Sequence, residues 1–485
     1  MKKNDILNGK ISSIGYNGEG VVKLECGTVC FVPFALTGEE VSFKVLKVNK
    51  NVAYCKLEKV LTPSSERVEP LCSAFKKCGG CQLQHARYDR QLKIKSDIIK
   101  DCFYKIAGLN VSLNNAVESS EIYGYRNKIQ FPIRNVNGEN KIGFFAENSH
   151  RIVEVSNCPI QQGEAKDILY CFKKFVSENG VSCYNEQTKK GVLKHVVMRS
   201  VGKAVSIIVV INGKTLKNVD KLIKILQSKF EKFSLFINEN TSDGNAILGD
   251  NYVKIYGEDF YFSEEFGIKY PVMCQSFMQV NNDVKTKLYT AVLNEVKLVN
   301  DLTVIDAYSG AGVMTAMLAK KANKAIGIEI VKEAVESANI LAKENGLESK
   351  MENICAPCES VLPSVISEVS KGGGNVLVVL DPPRKGCDIA VLNAILKEKP
   401  NRVIYVSCSP QTLSRDVGIL VGSLRYENGQ LVKSNEQNGV YKIESITPYD
   451  MFPQTKHVET LVVLRTKSSN DRSALSPAPG IGNLK

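Results

Sequence analysis

Between about residues 285 and 400 the chain alternates short apolar runs with segments of helical spacing, and no other feature constrains its fold as tightly. "TVIDAYSG", "KAIGIEI", "NVLVVLDPP" and "RVIYVSCS" each read as a strand that stops at a turn. Strands joined through helices run parallel, and their near-continuous Val, Ile and Leu content calls for cover on both faces. In open α/β sheets of this kind, ligands and chemistry gather at the carboxyl ends of the strands. The residues to read closely are therefore those at which the runs stop.

In "TVIDAYSGAGVMTAMLA" a strand, a glycine turn and a helix follow one another. Gly310 and Gly312 let the backbone approach a ligand beside a positive helix N-terminus. Glu329 ends the next strand, about 20 residues on, where an acid can accept hydrogen bonds from ribose hydroxyls. Val313 and Thr315 follow Gly312 without a third glycine, so the loop suits a nucleoside lacking a pyrophosphate, such as S-adenosylmethionine, better than a dinucleotide. Asp381 ends the third run, before two prolines that stiffen the turn. Arg384 follows them, which favours phosphate or base-edge contact over stacking. Cys408 ends the fourth. It reads as a small core residue or as a nucleophile at a strand end.

The remaining sequence divides around this unit. Residues 1–61 carry short alternating runs punctuated by glycines, the pattern of a small antiparallel β-barrel. "TPSSERVEP" reads as a linker. Residues 62–270 read as a central α+β region with a helix from about Tyr88 to Lys105, and residues 271–466 as the parallel-sheet unit. The Ser-, Pro- and Gly-rich residues 467–485 are expected to be disordered. No run approaches the ~20 apolar residues that span a bilayer. "MKKNDILNGK" is not an apolar signal segment, so a cytoplasmic protein is expected.

In that compartment 15 cysteines point to reduced thiols, a metal or cluster site, or catalysis. Cys72, Cys78 and Cys81 give C-x5-C-x2-C, and Cys158 precedes a proline. Four such thiolates can hold zinc or an iron–sulfur cluster, and the Cys-Pro step leans towards the latter. The formal charge of +12 favours a polyanionic partner, nucleic acid first. Lys76, Lys77, Arg87, Arg90, Lys93 and Lys95 surround the cysteines. Arg126, Lys128 and Arg134 interleave with Tyr125 and Phe131, as phosphate contacts and stacking on RNA would require. For any one of these residues the alternative is a solvated face.

"SFMQVNN", "DAYSGAG", "GIEI", "LDPPRKG", "YVSCSPQTLSRD" and "YDMFPQTKHVE" follow the order and approximate spacing of the RNA uracil-5-methyltransferases, which the chain resembles over about residues 5–466. The resemblance implies an α/β fold: a Rossmann-like class I methyltransferase domain, an N-terminal OB-like barrel of the TRAM type, and a central α+β domain with an iron–sulfur site. It implies Cys408 as nucleophile and Glu459 as general base. It also implies Gln279, Tyr308, Glu329 and Asp381 as S-adenosylmethionine contacts, and a [4Fe–4S] cluster on Cys72, Cys78, Cys81 and Cys158. Val313, where several members have Asn, and Pro357, where a polar residue often meets the adenine, depart from the pattern at two secondary contacts.

The chemistry explains the residue types. C5 of uracil becomes nucleophilic only after a thiolate adds to C6, and a base must then remove the C5 proton. A lowered Cys408 pKa is expected, helped by a helix N-terminus near Thr412. His457, two residues before Glu459, would share its face in a strand. The barrel and the cysteines point, by family analogy, to 23S ribosomal RNA. A tRNA uracil-C5 enzyme, an RNA cytosine-C5 enzyme and a non-catalytic RNA-binding assembly factor are the alternatives.

Overall fold

The computed structural model describes residues 1–296, 301–427, 429–434 and 439–467. The segment from residue 468 onward, expected to be disordered, lies outside the described residues.

The apolar runs form one seven-stranded sheet. Its strands are β1 (Leu302–Ala307), β2 (Lys324–Glu329), β3 (Met351–Cys355), β4 (Asn375–Leu380), β5 (Arg402–Ser407), β6 (Tyr441–Tyr449) and β7 (Glu459–Thr466). Their spatial order is β3-β2-β1-β4-β5-β7-β6. β1 to β5 run parallel, whereas β7 runs antiparallel to both β5 and β6. The intervening helices are α1 (Val313–Ala319), α2 (Lys332–Glu344), α3 (Cys358–Lys371), α4 (Ile389–Glu398) and α5 (Pro410–Leu420). Val376 to Leu380 and Val403 to Ser407 are buried throughout, as a sheet covered on both faces requires. The strand order reverses between β1 and β4, so their carboxyl ends open a crevice.

The N-terminal sheet runs Ile6–Lys10, Glu40–Asn49, Val52–Thr62, Val29–Val32, Gly20–Lys23, Ser13–Ile14. Its two edge strands are separated in sequence by only two residues, so the sheet must curl to place them at opposite edges. Alternation along Glu40–Asn49 turns Val41, Phe43 and Val45 inward, where they pack with Ile11 and Val32. The segment read as a linker is pinned: Arg67 forms an ion pair with buried Glu39, at 2.5 Å.

A second seven-stranded sheet occupies the centre, from Lys128–Val136 to Asn251–Tyr256, with helices Glu164–Asn179 and Val219–Gln227 packed in its core. The expected helix begins at Tyr88 and is regular to Cys102, then continues as a π-helical turn over Phe103–Ala107 that stops at Gly108. Among the described residues no helix is long and apolar enough to cross a membrane.

Candidate active site

Two turns shape the crevice. After β1, Tyr308 takes φ +67°, a conformation that costs a non-glycine residue on the order of 1 kcal/mol or more. Gly312 follows at φ +76°, where an added Cβ would lie 2.6 Å from Ala338 Cβ. Only glycine lets α1 start this close to α2. The Glu329 carboxylate at the end of β2 accepts hydrogen bonds from the Gly310 and Val331 amides, at 3.0 and 2.8 Å. It therefore ties the two turns together. Buried Asp306 accepts a 2.6 Å bond from Thr315 Oγ1. Burial, with Asp381 and Glu329 nearby, pushes its pKa up to about 7.

Gln279, Tyr308 and Asp381 line one cavity of about 120 Å³, together with Asp306 and Val313. Three of the four expected cofactor contacts thus share a wall. Glu329 does not line it but fixes Gly310, which does. Phe277 also lines the cavity while remaining 79% exposed. Pro357 sits at the N-cap of α3. Sequence reasoning gave Asp306 no role, although the aspartate of "VIDAYSG" was in view.

Cys408 and Glu459 meet through sheet register. In the β5–β7 ladder Ser407 pairs with Thr460. Cys408 follows the one and Glu459 precedes the other, so antiparallel pairing brings them side by side. Cys408 is half-buried, and Glu459 is 3% exposed. α5 starts at Pro410, not near Thr412, because proline's fixed φ suits the first helical position.

The expectation of a lowered Cys408 pKa is corrected. Burial first, then the Glu459 charge, push the thiol up, against the charge and hydrogen bond of Arg384. The helix terminus and one guanidinium do not outweigh desolvation and two carboxylates. Glu459 is raised well above the usual carboxylate range by burial and by Asp381, with Arg384 again opposing. Asp381 is itself raised by desolvation: its side chain is exposed to the cavity, but protein surrounds it closely. Arg384, read as a phosphate or base contact, thus sits against the thiol.

The loop before Glu459 is held from below by the helix Tyr88–Cys102. Fully buried Lys95 pairs with Asp450 and donates to the Phe452 carbonyl at 3.0 Å. Gln91 exchanges side-chain and backbone hydrogen bonds with Gln454, and Tyr125 Oη donates to the Pro453 carbonyl. His457 lies before β7 rather than in it, so it shares no strand face with Glu459. Burial and the cations Arg384 and Lys456 lower its pKa to about 4, leaving the ring neutral near pH 7.

Cys72, Cys78, Cys81 and Cys158 line a second cavity, about 370 Å³, that also touches Arg384 and His457. Burial and the neighbouring thiols push Cys81 up to about 12 and Cys158 up to about 11. Among the described residues no three of His, Cys, Asp or Glu converge closely enough to hold a single metal ion.

Several residues read as RNA-facing are structural. Lys95 is fully buried on Asp450, and Arg90 is buried against Glu66. Arg134 is 6% exposed, paired with Glu186 and bonded to the Ile133 and Lys194 carbonyls. Tyr125 and Phe131 are core residues. A basic or aromatic residue type carries no direction, and here the sheet and the loop below the site claimed them. Lys76, Lys77, Arg87 and Lys93 are exposed, and Arg126 and Lys128 are half-buried.

Comparison with known proteins agrees with this geometry. Residues 374–467 match the family model of tRNA (uracil-5-)-methyltransferases. An RNA methyltransferase of Clostridium acetobutylicum is 38% identical over 471 residues, covering 96% of this chain and 98% of its own. One of Bacillus cereus is 36% identical over 469 residues, covering 96% and 98%. Among solved structures, the Pyrococcus abyssi tRNA (uracil-54, C5)-methyltransferase in complex with S-adenosyl-L-homocysteine superposes with a TM-score of 0.71 and 26% identity. It covers 94% of this chain and 100% of its own. The chain belongs to the RNA uracil-5-methyltransferase family and is an S-adenosylmethionine-dependent enzyme of that family.

Proposed function

We propose that this enzyme methylates C5 of a uridine in 23S ribosomal RNA, with Cys408 as nucleophile and Glu459 as general base. The observation that carries the chemistry is the β5–β7 register, which sets one thiol beside one buried carboxylate next to an acid-lined cavity. S-adenosylmethionine supplies the methyl group as an electrophilic sulfonium. Gln279, Tyr308, Glu329 and Asp381 are the residues that would hold it. The carboxyls of Asp306 and Asp381 suit a positively charged ligand.

Cys408 loses its proton to water, and its thiolate adds to C6. The electron pair of the C5=C6 bond moves onto C5 and O4. When C5 carries both its proton and the methyl group, the Glu459 carboxylate takes the proton. The C6–S bond then breaks, C5=C6 re-forms and the thiolate is released. A raised Glu459 pKa suits this removal, because a more basic carboxylate accepts a proton more readily.

Four thiols share the wall of the larger cavity, a donor set whose chemistry suits an iron–sulfur cluster. Cys72, Cys78, Cys81 and Cys158 would hold a [4Fe–4S] cluster with one thiolate on each iron, and the cluster would supply a structural crosslink. We assign residues 1–61 to a TRAM-like RNA-binding barrel, 62–270 to the cluster-bearing domain and 271–466 to the catalytic domain.

The choice of ribosomal RNA rests on family analogy. The match to a tRNA enzyme over 94% of the chain makes tRNA the competing substrate. The test uses RNA containing 5-fluorouridine, whose C5 fluorine cannot leave as a proton. With S-adenosylmethionine, a denaturing gel should show a covalent band that Cys408→Ala abolishes. No band from folded protein would sink the mechanism. Mapping 5-methyluridine in ribosomal RNA and tRNA from cells lacking the gene decides the substrate: a site lost only from tRNA would overturn the ribosomal assignment.

A further inference from the structure

A turn of the N-terminal sheet reaches the segments that flank Cys408 and Glu459. In "GYNGEG", residues 15–20, the Gly18 amide donates to the Gly15 carbonyl at 2.9 Å and closes a tight turn. The tip of this turn touches both catalytic segments. Asn17 Oδ1 accepts a 2.8 Å bond from Lys456 Nζ, three residues before Glu459. Tyr16 shares a side-chain hydrogen bond with Gln411, three residues after Cys408, and lies within electrostatic reach of Arg384 and Cys408. Behind the tip, Gly18 packs against Gln82, Leu83 and Lys456. Tyr16 is nevertheless 40% exposed.

A uracil that reaches Cys408 must leave the stack of its neighbours, and an enzyme that extracts a base replaces that stacking with its own aromatic or apolar groups. Phe452 and His457 are occupied with each other, in edge-to-face contact at 6.0 Å. We propose that Tyr16 forms one wall of the slot through which the target uridine reaches Cys408, its ring stacking on that base. The reading rests on uridine being the substrate. It makes the N-terminal sheet part of the active site rather than only a tethered RNA-binding unit.

The test uses full-length protein and a fluorescein-labelled RNA hairpin with one uridine in its loop, beside the same hairpin carrying an abasic nucleotide there. Wild type should bind the uridine hairpin more tightly, by on the order of tenfold, because stacking recognises a base face. Tyr16→Leu should erase that preference, and Tyr16→Phe should keep it. Binding of S-adenosylmethionine and the melting temperature should not change in either variant. In the methylation assay Tyr16→Leu should raise KM for RNA far more than it lowers kcat.

Equal affinities of wild type for the two hairpins, or a preference that survives in Tyr16→Leu, would overturn the proposal. Equal loss in the Phe and Leu variants would also overturn it, because the hydroxyl bond to Gln411 would then be the whole effect. The binding measurement needs no turnover. Failure of wild type to methylate would therefore count against the catalytic mechanism alone.

Discussion

The two cavities are built on different principles. The smaller one lies at the ends of parallel strands, where Tyr308 and Asp381 line it, and the antiparallel β5–β7 ladder sets Cys408 and Glu459 close by. The larger one collects four thiols from loops: Cys72, Cys78 and Cys81 lie outside any strand or helix, and so does Cys158. Sheet register can hold reactive groups in place without a ligand. Loops have no such ladder, and thiols pushed up towards 11 or 12 need something that stabilises the thiolate if they are to ionise at all. Changes at the strand ends should therefore cost activity and spare the fold. Changes at the thiol quartet should do the reverse first.

The largest expected effect is at the ladder. Cys408→Ala should lower methylation by about 10³-fold or more, with an unchanged melting temperature. Glu459→Gln should split the reaction. The methyl group should arrive, but the enzyme should remain attached to ordinary RNA, because the C5 proton has no acceptor. A denaturing gel after one turnover shows this as a persistent band, and turnover should fall by about 10²-fold or more. Free release of methylated RNA from Glu459→Gln would remove Glu459 from the role of base.

Cys81→Ala tests the other half of the comparison. Anaerobically purified wild type should carry iron and acid-labile sulfide, and the variant should lose both and melt several degrees lower. If iron is absent from wild type and the melting temperature is unmoved, the quartet is four buried thiols and the two cavities differ less than their construction implies. Between these extremes stands Lys95→Met. It would leave Asp450 buried without its cation, beneath the loop that carries Glu459. Breaking a buried pair from one side costs roughly 3–5 kcal/mol, and a denaturant titration should read that loss.

The same contrast explains what the sequence shows and what it hides. The strand ends are legible because a strand that stops at a turn fixes where its last side chain goes, and the crevice at the strand-order reversal does the rest. "VVLDPP" and "YVSCSP" announce Asp381 and Cys408 in this way. Helix and strand periodicity also place the helix from Tyr88 and the buried runs of β4 and β5. Direction and environment are not legible elsewhere. Arg134 and Lys95 look like the exposed lysines near them, yet each is claimed by a carboxylate far along the chain, Glu186 and Asp450. The sequence suggests a lowered Cys408 pKa because a helix N-terminus is visible in it, whereas two converging carboxylates are not. Contact of Tyr16 with residues some 400 positions away leaves no local mark at all.

The smallest effect concerns Arg384, which lines the larger cavity and sits against the Cys408 thiol. Cys408 is raised by burial and Glu459, and Glu459 by burial and Asp381, so both groups need a higher pH to ionise than isolated side chains would. In the proposed roles of nucleophile and base, both groups act when deprotonated. The rate of methylation should therefore keep rising with pH through neutrality into the alkaline range, with no acidic optimum. Arg384 lowers both pKa values, and Arg384→Met should move the whole profile to higher pH. Methylation near neutral pH should slow by on the order of tenfold, while the gap to wild type narrows at alkaline pH. An equal slowing at every pH would show that Arg384 acts on the RNA rather than on the thiol. Arg384 would then belong to substrate binding, as its place after the paired prolines first implied.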